Sequence, residues 1–332
     1  MAGWLKIQDN QTKTKRTMKR YLINAISLLL LAVIWSGCSK KEAPLLPTEG
    51  NEGYTLPQGN HDYDTRILNY YKKYGTYFLY QFSEKDAYWT PTGYKNAIKQ
   101  GQYWSDGFEM KAADQAFINQ QLDLFESQCL NFYSEKFLKA FLPSKILLCS
   151  EVDSIYNDFD FSTSPATVVK GLRSVAAWYN YNNLLINYGN AKVLTITPEE
   201  KKLYLAKVNL NLINSITEAK KTSPTTAFSG SANYTIAPTS DADAYAKGML
   251  TAYYNGPTAT SDWYLYIQAM VSFSEDNLNR LPDSWDTSFT GILNPAKDSN
   301  GIIKRRYDLV RNYFKENYNV DLQLIGNAAQ AN

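Results

Sequence analysis

The sequence holds a single histidine, His61, in 332 residues. A H-E-x-x-H zinc site needs two, so that site cannot be built. Ser-His-Asp and Cys-His chemistry needs a histidine beside the nucleophile. His61 lies between Asn60 and Asp62, in a stretch that reads as a solvated linker, so both systems are effectively excluded.

Cysteine is also scarce, with 3 in the chain. No C-x-x-C spacing occurs, which excludes a thiolate zinc site. Cys129 sits on an apolar helical face with Ile118, Leu122 and Phe125, and Cys149 ends the run Ile146-Leu147-Leu148. Two buried free thiols are favoured over a bridge. No G-x-G-x-x-G is present, so the dinucleotide fingerprint is missing. A net charge of +2 gives no case for nucleic acid.

Long apolar runs are missing too, except near the start. Tyr21 to Trp35 is nearly uncharged and rich in Leu and Ile. It is short for a bilayer span and fits a signal-peptide core. Met18-Lys19-Arg20 precedes it as the positive region, and Ser36-Gly37-Cys38 follows. Small residues let a peptidase approach the backbone, and the Cys38 thiol can take a diacylglycerol. Residues 1–37 are therefore expected to be a removed signal peptide, with Met18 a candidate true start. The alternative is an uncleaved anchor helix with an incidental cysteine. Residues 38–62, rich in Gly, Pro, Asn and Glu, read as a lipidated cysteine and flexible tether. Residues 63–326 form the expected domain, and residues 327–332 a frayed end.

The remaining chain is ordinary for a globular protein, with 44% hydrophobic and 20% charged residues. Ile67, Tyr71, Tyr74 and Phe78 predict a helix over 64–82, weakened at Gly75. One or two helices are expected over 112–142, stopped by Pro143. Lys145 to Cys149 predicts a short buried strand, and Val193 to Ile196 another. Residues 167–188 fit strand or helix. Thr197-Pro198-Glu199-Glu200 is a helix start, with an N-cap, proline at N1 and a capping box, running to about Lys221. Residues 222–240 read as a polar loop. Helices are expected over 241–255, 262–281 and 301–319.

Paired carboxylates need weighing, since the chain has 32 acidic residues. Glu275-Asp276 and Asp283/Asp286 are candidate hydrolase pairs, against a solvated helix end and loop. Asp241-x-Asp243 lacks a calcium-loop series and reads as helix N-terminal acids. Aromatics are plentiful: 26 tyrosines, 7 tryptophans and 14 phenylalanines. Trp89, Trp104 and Trp285, near Gly or Pro in loops, are candidate binding aromatics; most of the tyrosines are expected to complete the core.

Four stretches carry a resemblance to a known family. One is the lipoprotein start followed by the aromatic segment Asp64 to Phe82. Another is Phe141-Leu142-Pro143-Ser144-Lys145-Ile146-Leu147-Leu148. A third is Lys247-Gly248-Met249-Leu250-Thr251-Ala252-Tyr253 with Ser261-Asp262-Trp263. The last is Tyr307-Asp308-Leu309-Val310 through Phe314 to Val320-Asp321-Leu322. Together they resemble the substrate-import-associated zinc metallohydrolase lipoproteins, encoded beside TonB-dependent transporters of the starch-utilisation type. The resemblance implies a single α+β domain, helix-rich, with a small β-sheet and zincin-like topology.

The departures fall on the family's chemistry. By order, the family's zinc helix is Pro198–Lys221, which contains no histidine. The family's flanking glutamates fall on Ser261 and Leu265, while Asp262 is kept. The resemblance thus implies a pseudoenzyme, a metallopeptidase-like fold without zinc or other cofactor beyond the covalent lipid on Cys38. The expected role is an accessory subunit of an outer-membrane complex with a TonB-dependent transporter and its substrate-binding lipoprotein. Cell surface is favoured over the periplasmic face. A stand-alone surface lipoprotein binding glycan or peptide is the alternative, and a carboxylate-based hydrolase the second.

Overall fold

The computed structural model describes residues 53–252 and 256–330. The signal segment, Cys38 and most of the tether lie outside the described residues. Thr55–Asn332 is one compact unit.

In chain order the elements are α1 (Asp62–Tyr74), β1 (Tyr77–Leu79), α2 (Glu84–Tyr88), β2 (Trp89–Thr90), β3 (Gly93–Tyr94), β4 (Lys99–Gln100), β5 (Tyr103–Trp104), β6 (Gly107–Ala112), α3 (Ile118–Gln128), α4 (Glu135–Phe141) and β7 (Lys145–Asp160). There follow β8 (Thr167–Ser174), β9 (Ala177–Asn180), β10 (Asn183–Ile186), α5 (Pro198–Glu218), α6 (Thr226–Ser229), α7 (Asp241–Ala246), α8 (Ala259–Ser272), α9 (Glu275–Asn279), α10 (Ile302–Tyr318) and α11 (Gln323–Ala329). The class is α+β, helix-rich, with one main sheet, as expected.

Strand β7 organises the sheet and is far longer than the expected Lys145–Cys149. Its first half pairs in parallel with β1 on one side and β10 on the other. Both faces there are covered, which is why Ile146 to Cys149 is a continuous buried apolar run. Its second half leaves the core and pairs antiparallel with β6 and β8. Burial becomes interrupted along that half, matching the mixed sequence Glu151 to Asp160. The stretch 167–188, open between helix and strand, is β8, β9 and β10. The two small hairpins β2–β3 and β4–β5 carry too few residues to show a period.

Several expectations need correction. The first helix stops at Tyr74 because Gly75 takes a left-handed φ of 74° and its N–H caps the Tyr71 carbonyl. Phe78 is therefore a strand residue, not part of the helical stripe. Ala191–Leu194 is a 3-10 turn, not a strand. The helix expected over 241–255 ends at Ala246, and Gly248 turns the chain with φ +76°; residues 253–255 lie outside the described residues. The helix expected over 262–281 is two, α8 and α9, separated by Ser274, which caps α9. The polar loop 222–240 contains α6, whose Phe228 is fully buried. By contrast, α5 starts as read: the Thr197 hydroxyl accepts from Glu200 N, and Pro198 opens the helix.

The end of the tether is also folded. Gln58 Oε1 accepts from Tyr80 N at 2.9 Å, and Leu56 packs against the core. His61 is solvent-exposed, as expected, but it does not lie in a linker. It is the N-cap of α1: its N–H donates to Asp64 Oδ2 at 2.8 Å, and its ring stacks on Tyr63 at 4.8 Å. Its Nδ1 lies 3.2 Å from the same buried carboxylate. The pair looks like half of a catalytic triad but serves as a cap. His61→Ala keeps the backbone N–H bond to Asp64 and removes only the half-exposed Nδ1 contact and the stacking, so it is expected to cost under about 1 kcal/mol in urea unfolding.

The C-terminal residues 327–330 are not frayed. Asn327 Oδ1 accepts from Glu275 N at 2.8 Å, and Gln330 Oε1 accepts from Ser274 N at 2.8 Å. The core runs between the sheet and the helices. An aromatic group of Phe137, Phe141, Phe314 and Tyr318 joins α4 to α10, with Phe141 and Tyr318 centroids 4.9 Å apart. Cys129 and Cys149 are both free and buried, as favoured. Burial pushes both thiols up, so neither is a ready nucleophile.

Candidate functional site

Helices α5 and α8 pack against each other, and the residues they turn away from the core line a cleft. On α8 the buried face is Asp262, Trp263, Tyr266, Ile267, Ala269 and Met270. The complementary stripe is Ser261, Leu265 and Gln268, at helical spacing, and it faces the cleft. On α5 the last turn contributes Thr217 and Glu218. Asn214, one turn earlier, accepts from Gln268 Nε2 at 3.1 Å and bridges the helices. The cleft encloses about 470 Å³.

A second cavity of about 600 Å³ adjoins it, since Thr251 and Leu265 line both. Its other walls include Ser240, Asp241, Leu250, Thr287 and Phe289. Asp241 is held in place by Ala252 N, which donates to Oδ1 at 2.9 Å. Tyr264 stands at the first cavity with its hydroxyl donated to Thr222 O at 2.8 Å, so the ring is fixed. Burial pushes the Glu218 carboxyl up. Burial, and then the Glu218 charge, push Tyr179 up to about 12.

Ser261 and Leu265, the positions onto which the sequence resemblance carries two glutamates, both line this cleft. Zinc takes three protein ligands from nitrogen, thiolate and carboxylate donors. The described residues of the first cavity offer one carboxylate, the Gln268 amide, hydroxyls and Leu265, and these do not fit the ion. Among the described residues, no group of three or more His, Cys, Asp or Glu is placed to hold a metal.

Asp262, the carboxylate in the stretch that carries the sequence resemblance, points the other way. It is fully buried and paired with Arg306 Nη2 at 2.6 Å. Tyr234 donates its hydroxyl to Asp262 Oδ2 at 2.9 Å, and Leu250 N donates to Oδ1 at 3.2 Å. Arg306 also donates to Phe228 O at 3.0 Å and lies 3.8 Å from the centroid of that ring. Asp262 thus ties α8, α10 and the 222–240 segment together. Asn209, in the middle of α5, is likewise internal: it donates to Gln128 O and Leu205 O and accepts from Tyr133.

The sequence-derived aromatics do not converge. Trp89 packs edge-on against Tyr181 at 5.5 Å. Trp104 lies under Lys170, whose Nζ is 5.2 Å from its ring, on the outer half of the sheet. Trp285 is 80% exposed, two residues from Thr287 of the second cavity. No ring contact joins any two of them. One member of each candidate carboxylate pair is engaged elsewhere. Glu275 accepts from Arg311 Nη1 at 3.1 Å, and Asp286 from Ser288 N at 2.7 Å. Asp241 and Asp243 stand in the first turn of α7, as read.

Sequence reasoning missed Glu218 and Gln268 as cleft residues, and Asn214 as the residue that holds Gln268. The signal was present in the polar positions 214, 217 and 218 of a helix otherwise rich in buried residues. Nothing in the sequence marked Gln268 as their partner, 54 residues on.

No protein-family model matches the chain, and no curated protein does. Among solved structures, one described as a "putative zinc-binding metallo-peptidase" from Bacteroides caccae aligns over 79% of this chain and 87% of that one. Identity is 13% and the TM-score is 0.41. The α+β class rests on the sheet and helices themselves.

Proposed function

We propose that this chain is a lipid-anchored, non-catalytic binding protein of the outer membrane. It works as an accessory subunit beside a TonB-dependent transporter and its substrate-binding lipoprotein. The observation that carries the non-catalytic part is the makeup of the α5–α8 cleft. Hydrolysis needs a metal, a second carboxylate or a nucleophile with its base. Glu218 is the carboxylate of the first cavity, and hydroxyls, amides and apolar side chains surround it. Such a set holds a ligand through hydrogen bonds and apolar contact. Among the described residues of that first cavity no second carboxylate stands beside Glu218 to share acid and base roles; Asp241 lines the adjoining one.

The anchoring part rests on Met18-Lys19-Arg20, the apolar run to Trp35, and Ser36-Gly37-Cys38. The accessory role follows the family resemblance of the sequence. Cys38→Ser is expected to abolish metabolic palmitate labelling and to move the protein out of the detergent-extracted membrane fraction. Unchanged labelling contradicts the anchor. Extraction of the native lipoprotein in mild detergent is expected to bring a membrane protein with it in fixed ratio. Recovery as a monomer contradicts the accessory role and favours a surface protein that binds alone.

A further inference from the structure

We infer that the joined cleft along α8 binds a neutral oligosaccharide. This rests on the non-catalytic binding reading and names its ligand class.

Shape comes first. The cavities of about 470 and 600 Å³ each fall within the range of small-ligand sites, roughly 300–1,000 Å³. They run into each other across Leu265. A continuous cleft of this kind suits a chain of several units better than one compact molecule.

Charge narrows the choice. Among the described residues lining both cavities there is no lysine or arginine, while Glu218 and Asp241 contribute one carboxylate to each. A phosphate- or uronate-bearing ligand meets like charge there with no counter-ion. A carboxylate does suit a polyol, because its oxygens accept from neighbouring hydroxyl groups. Thr287 adds a hydroxyl that can donate and accept, Thr217 donates to Asn214 O and keeps lone pairs to accept, and the Asn214 contact holds the Gln268 amide in position.

Backbone geometry separates a sugar from a peptide bound as an added strand. Extended peptides gain affinity by pairing their main chain with a strand edge. Helices and loops line this cleft, and none of the residues of β1 to β10 is among them. Recognition there falls to side chains. Tyr264 and Phe289 supply aromatic surface, one in each cavity.

The test is calorimetric titration of the mature protein with maltohexaose, cellohexaose, xylohexaose and mannohexaose. The bound sugar is then examined by mass spectrometry. At least one is expected to bind with a Kd below about 1 mM. Glu218→Gln and Gln268→Ala are each expected to weaken that binding at least about tenfold, Glu218→Gln with an unchanged melting temperature because its side chain is exposed. Trp104→Ala, on the outer half of the sheet, is expected to leave it unchanged. Failure of all four sugars to bind overturns the inference. So does binding that survives both cleft variants. Recovery of the sugar intact supports both readings. Cleavage of a sugar held by Glu218 and Gln268 leaves the ligand class standing and overturns the non-catalytic reading instead.

Discussion

Arg306→Ala is expected to lower the unfolding free energy by about 3–5 kcal/mol, the range for removing one partner of a buried ion pair. Both side chains of the pair with Asp262 are fully buried. Burial pushes the Asp262 carboxyl up, and the guanidinium opposes that shift. Without Arg306 the carboxylate must stay buried and unpaired or take up a proton. The loss reaches further, since Arg306 Nη1 also satisfies Phe228 O and Ser231 Oγ. The whole 222–240 segment should therefore loosen. Chemical denaturation measures the free energy, and hydrogen exchange across residues 226–234 reports the segment. The double variant Arg306→Met with Asp262→Leu is expected to recover part of the loss, because no charge is then left buried. A change below about 1 kcal/mol for Arg306→Ala, the scale of an exposed pair, contradicts this role.

Gly326→Ala is expected to destabilise, against helix propensity. In an exposed helix the exchange gains about 1 kcal/mol. Here a Cβ would stand 2.3 Å from both Met270 O and Phe273 O, which are backbone atoms and cannot rotate away. Helix α11 would have to lift from the end of α8. That displaces Gln323, which accepts from Tyr307 at 2.7 Å and donates to Phe273 O at 2.7 Å. Overpacking of this kind costs roughly 1–3 kcal/mol or more. A thermal melt decides the sign. A raised melting temperature contradicts the packing described for the C-terminal helices.

Both sites show how far the sequence could be read. Local signals were legible where one residue's chemistry forces one backbone state. Thr197, Pro198 and Glu200 start α5, and Pro143 closes the helical run before β7. The apolar run at Ile146 revealed a buried strand. It did not reveal that β7 continues to Asp160, because the outer half is held by pairing with β6 and β8, not by its own pattern. Gly75 was noted as a weak point, yet it ends α1, since its left-handed conformation satisfies a terminal carbonyl.

The cleft was legible only in part. The absence of histidine from Pro198–Lys221 follows from the letters alone. Asp262 reads as a surviving site residue in the sequence. Its partner Arg306 lies 44 residues away, and that contact turns it into a structural charge. Long-range pairs of this kind leave no periodic trace. His61 misled for the opposite reason. Its neighbours Gly59 and Asn60 read as linker, while Asp64, three residues on, holds it as a helix cap.

The most direct measurement on the central claim is a zinc titration of the mature protein, followed by calorimetry at neutral pH. A cleft with Glu218 as its carboxylate among amides and hydroxyls is expected to take up no zinc tighter than about 10 μM, far weaker than a three-ligand protein site. One zinc per chain bound at nanomolar affinity, and lost on Glu218→Gln, contradicts the non-catalytic reading.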